Sequence, residues 1–164
     1  MNQFDPNLPR QNPADPDLIV GDVTAVIVRE PGNLQPYDVG NSVLSPSKPF
    51  QVVVRWKVTG LLGPLWLAAL GGKWNVQVYA ESMGAGPEIR LASNNNIPAV
   101  PTQQNYEATL DVPAGILPEG NPGSSISGIY KLVVSVFLNS NLPAPGYDMI
   151  GFSEGPYIQI ENPN

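Results

Sequence analysis

In the stretch IYKLVVSVFL, residues 129–138, every second side chain is large and apolar. A period of two is the pattern of a β-strand, because successive side chains of a strand point to opposite faces of the sheet. The stretch therefore predicts a strand with one face in a hydrophobic core. The inward row is predicted to consist of Tyr130, Leu132, Val134, Val136 and Leu138.

Strands of the same kind recur along the chain, separated by clusters of Gly, Pro, Asn and Ser, whereas the run SNNNIPAVPTQQ at 93–104 is predicted to be a loop. The further strands are predicted at 18–28, 50–58, 74–80, 88–92, 106–112, 149–152 and 157–161. We expect the last two to form one strand, with a bulge or kink at the Ser-Glu-Gly-Pro sequence between them. No long helix fits, so the sequence predicts an all-β, two-sheet antiparallel sandwich of about seven strands over residues 18–161.

The beginning of the chain differs in composition from the rest. Residues 1–17 are rich in proline and polar side chains and have little to bury, which predicts a disordered N-terminal tail. No segment approaches the roughly 18–20 consecutive apolar residues of a membrane-spanning helix. The first residues also lack the apolar segment of a secretory signal. We therefore expect a soluble protein and favour the cytoplasm.

The residue types that are missing exclude several kinds of chemistry. The chain has no histidine and no cysteine, which excludes Ser-His-Asp and Cys-His catalysis, thiolate zinc sites and disulfides. Its net charge of −6 disfavours nucleic-acid binding, which needs a basic surface. Glu107 and Asp111 lie on one strand face but are about 13 Å apart, too far for a pair of catalytic carboxylates. We expect no enzymatic activity, no cofactor and no metal, since Asp15 and Asp17 also lack the spacing of a calcium loop.

Two neighbouring segments resemble a known fold family. YEATLDVPAG at 106–115, followed by GIYKLVVSVFL at 128–138, is similar to the E and F strands of immunoglobulin-like and fibronectin type III-like domains. The resemblance implies that Tyr130 forms the tyrosine corner at the start of strand F and that Trp74 is the core tryptophan of strand C. The chain departs from antibody domains because it has no inter-sheet cystine.

The odd-numbered positions of the same strands indicate a candidate interface. If the even-numbered side chains of 74–80 and 130–138 point inward, the opposite face carries several large apolar residues. These are Tyr79, Ile129, Val133 and Phe137, which Tyr157 of the last strand is expected to join. In an immunoglobulin-like topology strands C, F and G are neighbours, so these residues form one outward patch. The patch is either an interface or a surface covered by loops or by the N-terminal tail.

The connection between two of the strands is entirely apolar. Residues 60–72 read GLLGPLWLAALGG and predict a short helix within 61–71, with Pro64 in its first turn. We expect Leu61, Leu65 and Ala69, with Leu62, Trp66 and Leu70, to cover the open end of the sandwich. Leu67 lies on the other face, and because a helix with no polar side is either buried all round or faces a partner, Leu67 is a candidate interface residue. Three roles remain open for the helix: a core cap, a cap that also docks a partner, and a membrane-inserting loop.

These patterns favour a non-enzymatic protein-interaction or structural module, whose partner is another protein or a second copy of the chain. The alternative is a carbohydrate- or small-ligand-binding accessory domain, because aromatic side chains on a sheet face can stack on sugars. A carboxylate-based hydrolase is the third and weakest reading.

Overall fold

The computed structural model describes residues 3–30, 42–143 and 148–162 of the chain. One α-helix, α1 (Gly63–Leu70), and one 3₁₀ turn (Pro122–Ser124) interrupt the strands. The strands are β1 (Phe4–Asp5), β2 (Val20–Arg29), β3 (Val43–Leu44), β4 (Phe50–Thr59), β5 (Lys73–Ser82), β6 (Ile89–Pro98), β7 (Asn105–Val112), β8 (Ile129–Asn139) and β9 (Met149–Ile160).

The strands form two sheets. The larger sheet has the order β1-β9-β8-β5-β6, with β3 pairing in parallel with β9 as its sixth strand. The smaller sheet has the order β2-β4-β7. All the other strand pairs are antiparallel. The predicted all-β fold with two antiparallel sheets and one short helix is thus confirmed, and the two-residue strands β1 and β3 bring the described strands to nine rather than about seven.

The core lies between the sheets and is filled by the alternating side chains that the sequence indicates. The five inward residues predicted for β8 are all fully buried, and β7 alternates strictly between exposed and buried positions. An aromatic cluster joins the two sheets near one end. Trp56 of β4 stacks on Tyr106 of β7 with ring centroids 5.4 Å apart, and the edge of Trp74 from β5 meets Trp56 at 5.9 Å. Such pairs add about 0.5–1.5 kcal/mol beyond the burial of their area.

The irregularities of the larger sheet lie in the pairing of β9 with β8 and of β6 with β5. The predicted bulge in β9 is confirmed, because Lys131 pairs with Tyr157 but Val133 pairs with Glu154, so β9 has one residue too many. The prediction of a loop at 93–104 is wrong for its first half, since β6 continues to Pro98. Pairing with β5 holds these residues in a strand although asparagine disfavours one, and two register shifts accompany the pairing.

The N-terminal segment contributes to the core, contrary to the prediction of an unpacked tail. Phe4 is 2% exposed, β1 pairs with β9, and the Phe4 ring lies 5.9 Å from that of Trp74. Gly21 and Gly151 make room for the ring, because a Cβ atom at either position would overlap it. A single buried aromatic residue therefore anchors a segment whose average composition is that of a tail.

Three side chains give the fold a defined sensitivity to alkaline pH. Burial raises the pKa of Tyr106 and of Tyr130 above the ordinary value for tyrosine. The hydrogen bond to the Glu81 carboxylate, with the charge of Glu154, raises the pKa of Lys131. In each case the folded state keeps its proton at a pH at which the unfolded state releases it.

We therefore expect the free energy of unfolding to be constant below about pH 10 as far as these groups are concerned, and to fall as pH rises further. Urea unfolding followed at pH 9, 10 and 11 measures this, with phenolate absorbance reporting tyrosine ionisation. Tyr106→Phe should reduce the loss between pH 10 and 11. A stability that stays level to pH 11 would contradict the assignment.

Candidate functional site

Helix α1 lies at one end of the two sheets, where the chain crosses from β4 to β5. Pro64 occupies the first turn, in which a missing N–H does no harm, and the helix ends where Gly71, at φ +60°, donates its N–H to the carbonyl of Leu67 at 2.8 Å. No polar or charged side chain occurs between Gly60 and Gly72. The helix therefore presents apolar side chains in every direction.

The structure corrects part of the predicted orientation of this helix, although Leu70 and Trp66 pack against the core as expected. Leu67 is 1% exposed, and Gly63, Leu67 and Leu70 form the buried face at a spacing of four and three residues. Leu61 and Leu65, which were expected to cover the core, are 66% and 67% exposed. Leu67, the candidate interface residue of this stretch, is therefore buried in the core and offers no surface to a partner. The sequence of a helix without polar residues does not indicate which face is exposed to solvent. Packing against the two sheets decides which face is buried.

Backbone hydrogen bonds bring leucines from other parts of the chain close to the exposed leucines of the helix and of the turn before it. Leu62 donates its N–H to the carbonyl of Leu18 at 2.9 Å, and Leu18 donates to Leu8 at 3.0 Å. The carbonyl of Leu70 accepts a hydrogen bond at 3.0 Å from the residue before Leu142. We call this surface the leucine end, and it consists of Leu8, Leu18, Leu61, Leu62, Leu65 and Leu142. These six make up half of the twelve large apolar residues that are exposed among the residues described, so exposed apolar surface is concentrated there.

Charged groups lie beside the leucine end but not within its helix. The carbonyl of Asp17 accepts a hydrogen bond from the Leu61 N–H at 2.8 Å, while the carboxylate of Asp17 accepts one from the backbone N–H of Arg10. At the far side of the helix, the Lys73 ammonium donates to the side-chain carbonyl of Asn96. The result is an apolar surface with a polar rim, which is the arrangement of many protein interfaces.

The outer face of the larger sheet brings together the other predicted interface residues. Tyr79 pairs with Val133 across β5 and β8, and both are half-buried. Ile129 and Tyr157 are exposed, whereas Phe137 is only 8% exposed and offers little surface.

Charges divide this outer face into two parts. Lys131 lies 2.9 Å from Glu81 and 3.6 Å from Glu154, and it pairs in register with Tyr157. An exposed aromatic residue that the sequence reading missed, Phe152, lies beyond these charges opposite Ser135. It was missed because the predicted strand 149–152 ended there, and only its register against β8 shows which face it occupies.

The outer face of the smaller sheet carries a ladder of polar pairs instead of a patch. Arg55 donates to the Glu107 carboxylate at 2.9 Å, and Gln51 donates to Asp111 at 2.8 Å. Val53 lies between these two rungs in the register and is fully buried although it is on this outer face. Both acids that the sequence offered as a catalytic pair therefore take part in separate cross-strand contacts.

The described residues also form a polar groove. A groove of about 460 Å³ beside the bulge in β2 is lined mainly by polar side chains, among them Thr24, Gln103 and Asn105. Within residues 3–30, 42–143 and 148–162, no three acidic side chains are grouped so as to hold a metal ion. In the same ranges no helix is long and apolar enough to cross a membrane.

The class that fold and surface define is an all-β protein of two antiparallel sheets with an apolar helix across one end. No protein-family model matches the chain, and no similar protein is found among curated ones. The leucine end is therefore interpreted from its own geometry.

Proposed function

We propose that this chain is a non-enzymatic binding module of immunoglobulin-like topology, and that the leucine end is its docking surface for protein. The observation that carries the proposal is the exposure of Leu61 and Leu65, each about two thirds accessible, in the helix and the turn before it, which have no polar side chain. Fully burying a leucine contributes about 1.5–3 kcal/mol relative to leaving it exposed. A contiguous exposed apolar surface with a polar rim is typical of an interface.

Strand order supports the immunoglobulin-like part of the proposal. The sheet β2-β4-β7 corresponds to strands A, B and E, and the run β9-β8-β5-β6 corresponds to G, F, C and C′. The Tyr130 hydroxyl at the start of β8 donates to the carbonyl of Pro118 at 3.0 Å, as a tyrosine corner does. Trp74 on β5 is fully buried, in the place of the core tryptophan of strand C.

The outer face of the larger sheet is a weaker candidate for the docking surface. Its exposed residues, Ile129, Phe152 and Tyr157, are divided by the ion pairs of Lys131. A partner would have to desolvate these charges, which costs free energy that a purely apolar surface does not require. Sugar binding also has less support, because Trp56 and Trp74 are buried between the sheets instead of lying on a face.

A comparison of two double variants tests the proposal. Leu61→Lys with Leu65→Lys places two charges on the leucine end, and Phe152→Lys with Tyr157→Lys places the same charge on the outer sheet face. All four residues are more than half exposed, so each variant should fold like the wild type. Affinity purification of the tagged protein from its own cells, with quantitative mass spectrometry, should show partners that the leucine-end variant loses and the control variant retains. Identical partner sets for the two variants would refute the docking assignment.

A further inference from the structure

We infer that the leucine end binds the leucine end of a second copy of this chain, through a contact with two-fold symmetry. The inference rests on the proposed function, because it names the occupant of the docking surface. It depends on three features of the described residues: the distribution of charge, the area of the surface and the spacing of its side chains.

The charge of the chain restricts where two copies can meet. Each copy carries a net charge of −6, so two copies repel one another. A two-fold contact also brings each group close to the same group of the other copy. Residues 58–72 contain no charged side chain, so the like charges in a contact centred on the helix are confined to its rim, at Arg10, Asp17 and Lys73. A contact through the outer sheet face would bring Glu81 and Glu154 of both copies together.

The area of the surface fits a weak, reversible dimer. The six leucines are each 37–67% exposed. They present on the order of 500 Å² of apolar surface, which is near the upper end of the largest patch on a typical monomer. A two-fold contact that covers all six on both copies would bury about twice that area, roughly the 1,000 Å² at which specific interfaces begin. We therefore expect a dissociation constant in the roughly micromolar range.

The spacing of the exposed helix positions suits a copy of itself. Leu65 and Ala69 are exposed and four residues apart, so they lie along one side of the helix, and the exposed Leu61 lies in the turn that precedes it. If two such helices cross antiparallel midway between these two positions, Leu65 of each copy faces Ala69 of the other. A large side chain then meets a small one on both sides of the axis, which permits the close approach of about 8–10 Å that packed helices have.

Sedimentation velocity of the purified full chain tests the inference. Between about 1 and 500 µM, a range that spans the expected dissociation constant, the wild type should pass from monomer to dimer. Added sodium chloride should strengthen the association, because it screens the repulsion between copies. The variant with Leu61→Lys and Leu65→Lys should remain monomeric although its net charge is smaller and its copies repel one another less. The control with Phe152→Lys and Tyr157→Lys should dimerise like the wild type.

A charge-swap experiment tests the geometry of the contact. A third variant, Leu61→Glu with Leu65→Glu, should also be monomeric, but an equimolar mixture with the lysine variant should form a heterodimer. Only a contact of leucine end against leucine end brings the two sets of opposite charges together. A mixture that stays monomeric would overturn the two-fold contact.

Two results would overturn the second copy as occupant and would separate this failure from that of the proposed function. If the wild type is monomeric at 500 µM, the inference is wrong. The proposed docking surface is then still supported if the variant with Leu61→Lys and Leu65→Lys loses partners in the affinity purification, and it is refuted if that variant keeps them. If the monomeric protein instead floats with phosphatidylcholine vesicles and the lysine variant does not, the occupant is a bilayer.

Discussion

Replacing Leu67 with aspartate is expected to lower the free energy of unfolding by more than about 4 kcal/mol or to prevent folding. Leu67 is 1% exposed and belongs to the continuous core that includes Leu70 and Trp74. An aspartate there would be buried among apolar side chains, and its helix has no positively charged side chain that could pair with it. Urea unfolding followed by tryptophan fluorescence measures the change.

The matched control for this prediction is Leu65→Asp, which introduces the same charge two residues earlier. Leu65 is 67% exposed, so the free energy of unfolding should change by no more than about 0.5 kcal/mol. A carboxylate in the first turn even interacts favourably with the helix dipole. If the two variants were equally destabilised, or if Leu67→Asp were neutral, the orientation of the helix described above would be wrong.

The second large effect is expected at the beginning of the chain. Phe4→Ala should lower the free energy of unfolding by about 3–5 kcal/mol, because it removes a buried ring and leaves a cavity. The cavity would lie over Gly21 and Gly151, which have no side chains to fill it, and beside Trp74. Since small proteins are stable by only about 5–15 kcal/mol, the loss should be evident in the urea midpoint.

Leu8→Ala serves as the control for Phe4, since it shortens an apolar side chain of the same segment that is 48% exposed. It should leave the urea midpoint nearly unchanged. A neutral result for Phe4→Ala would show that the first residues lie outside the core in solution, as their composition predicts.

The strands illustrate what could be predicted without a structure. Alternation in 50–58, 74–80, 106–112 and 129–138 located four long strands, and it identified the buried faces that the structure has. It succeeded because a strand between core and solvent imprints a period of two on its residues. Tyr130 and Trp74, which alternation placed on the inward faces of their strands, are likewise fully buried.

The wrong predictions concern segments in which apolar and polar residues do not alternate regularly. The segment 93–98 has the composition of a loop, but it pairs with β5 and so becomes the edge strand β6. Phe4 is one aromatic residue in a polar segment, and its burial depends on two distant glycines. Phe152 lies on the outer face because it pairs with Ser135 of β8. The bulge in β9 changes the register, so that Phe152 and Tyr157 lie on the same face although they are five residues apart.

The stretch that contains the candidate site was predicted correctly, but Leu61 and Leu65 were expected on its buried side and are exposed. That residues 60–72 form a short apolar helix between two strands followed from Pro64, the flanking glycines and the absence of polar residues. Which leucines the helix shows to solvent depended on how it lies across the ends of two sheets whose strands are distant in sequence. Periodicity records burial only where polar residues contrast with apolar ones, so in a wholly apolar helix tertiary packing alone decides that Leu67 is core and that Leu61 and Leu65 are surface.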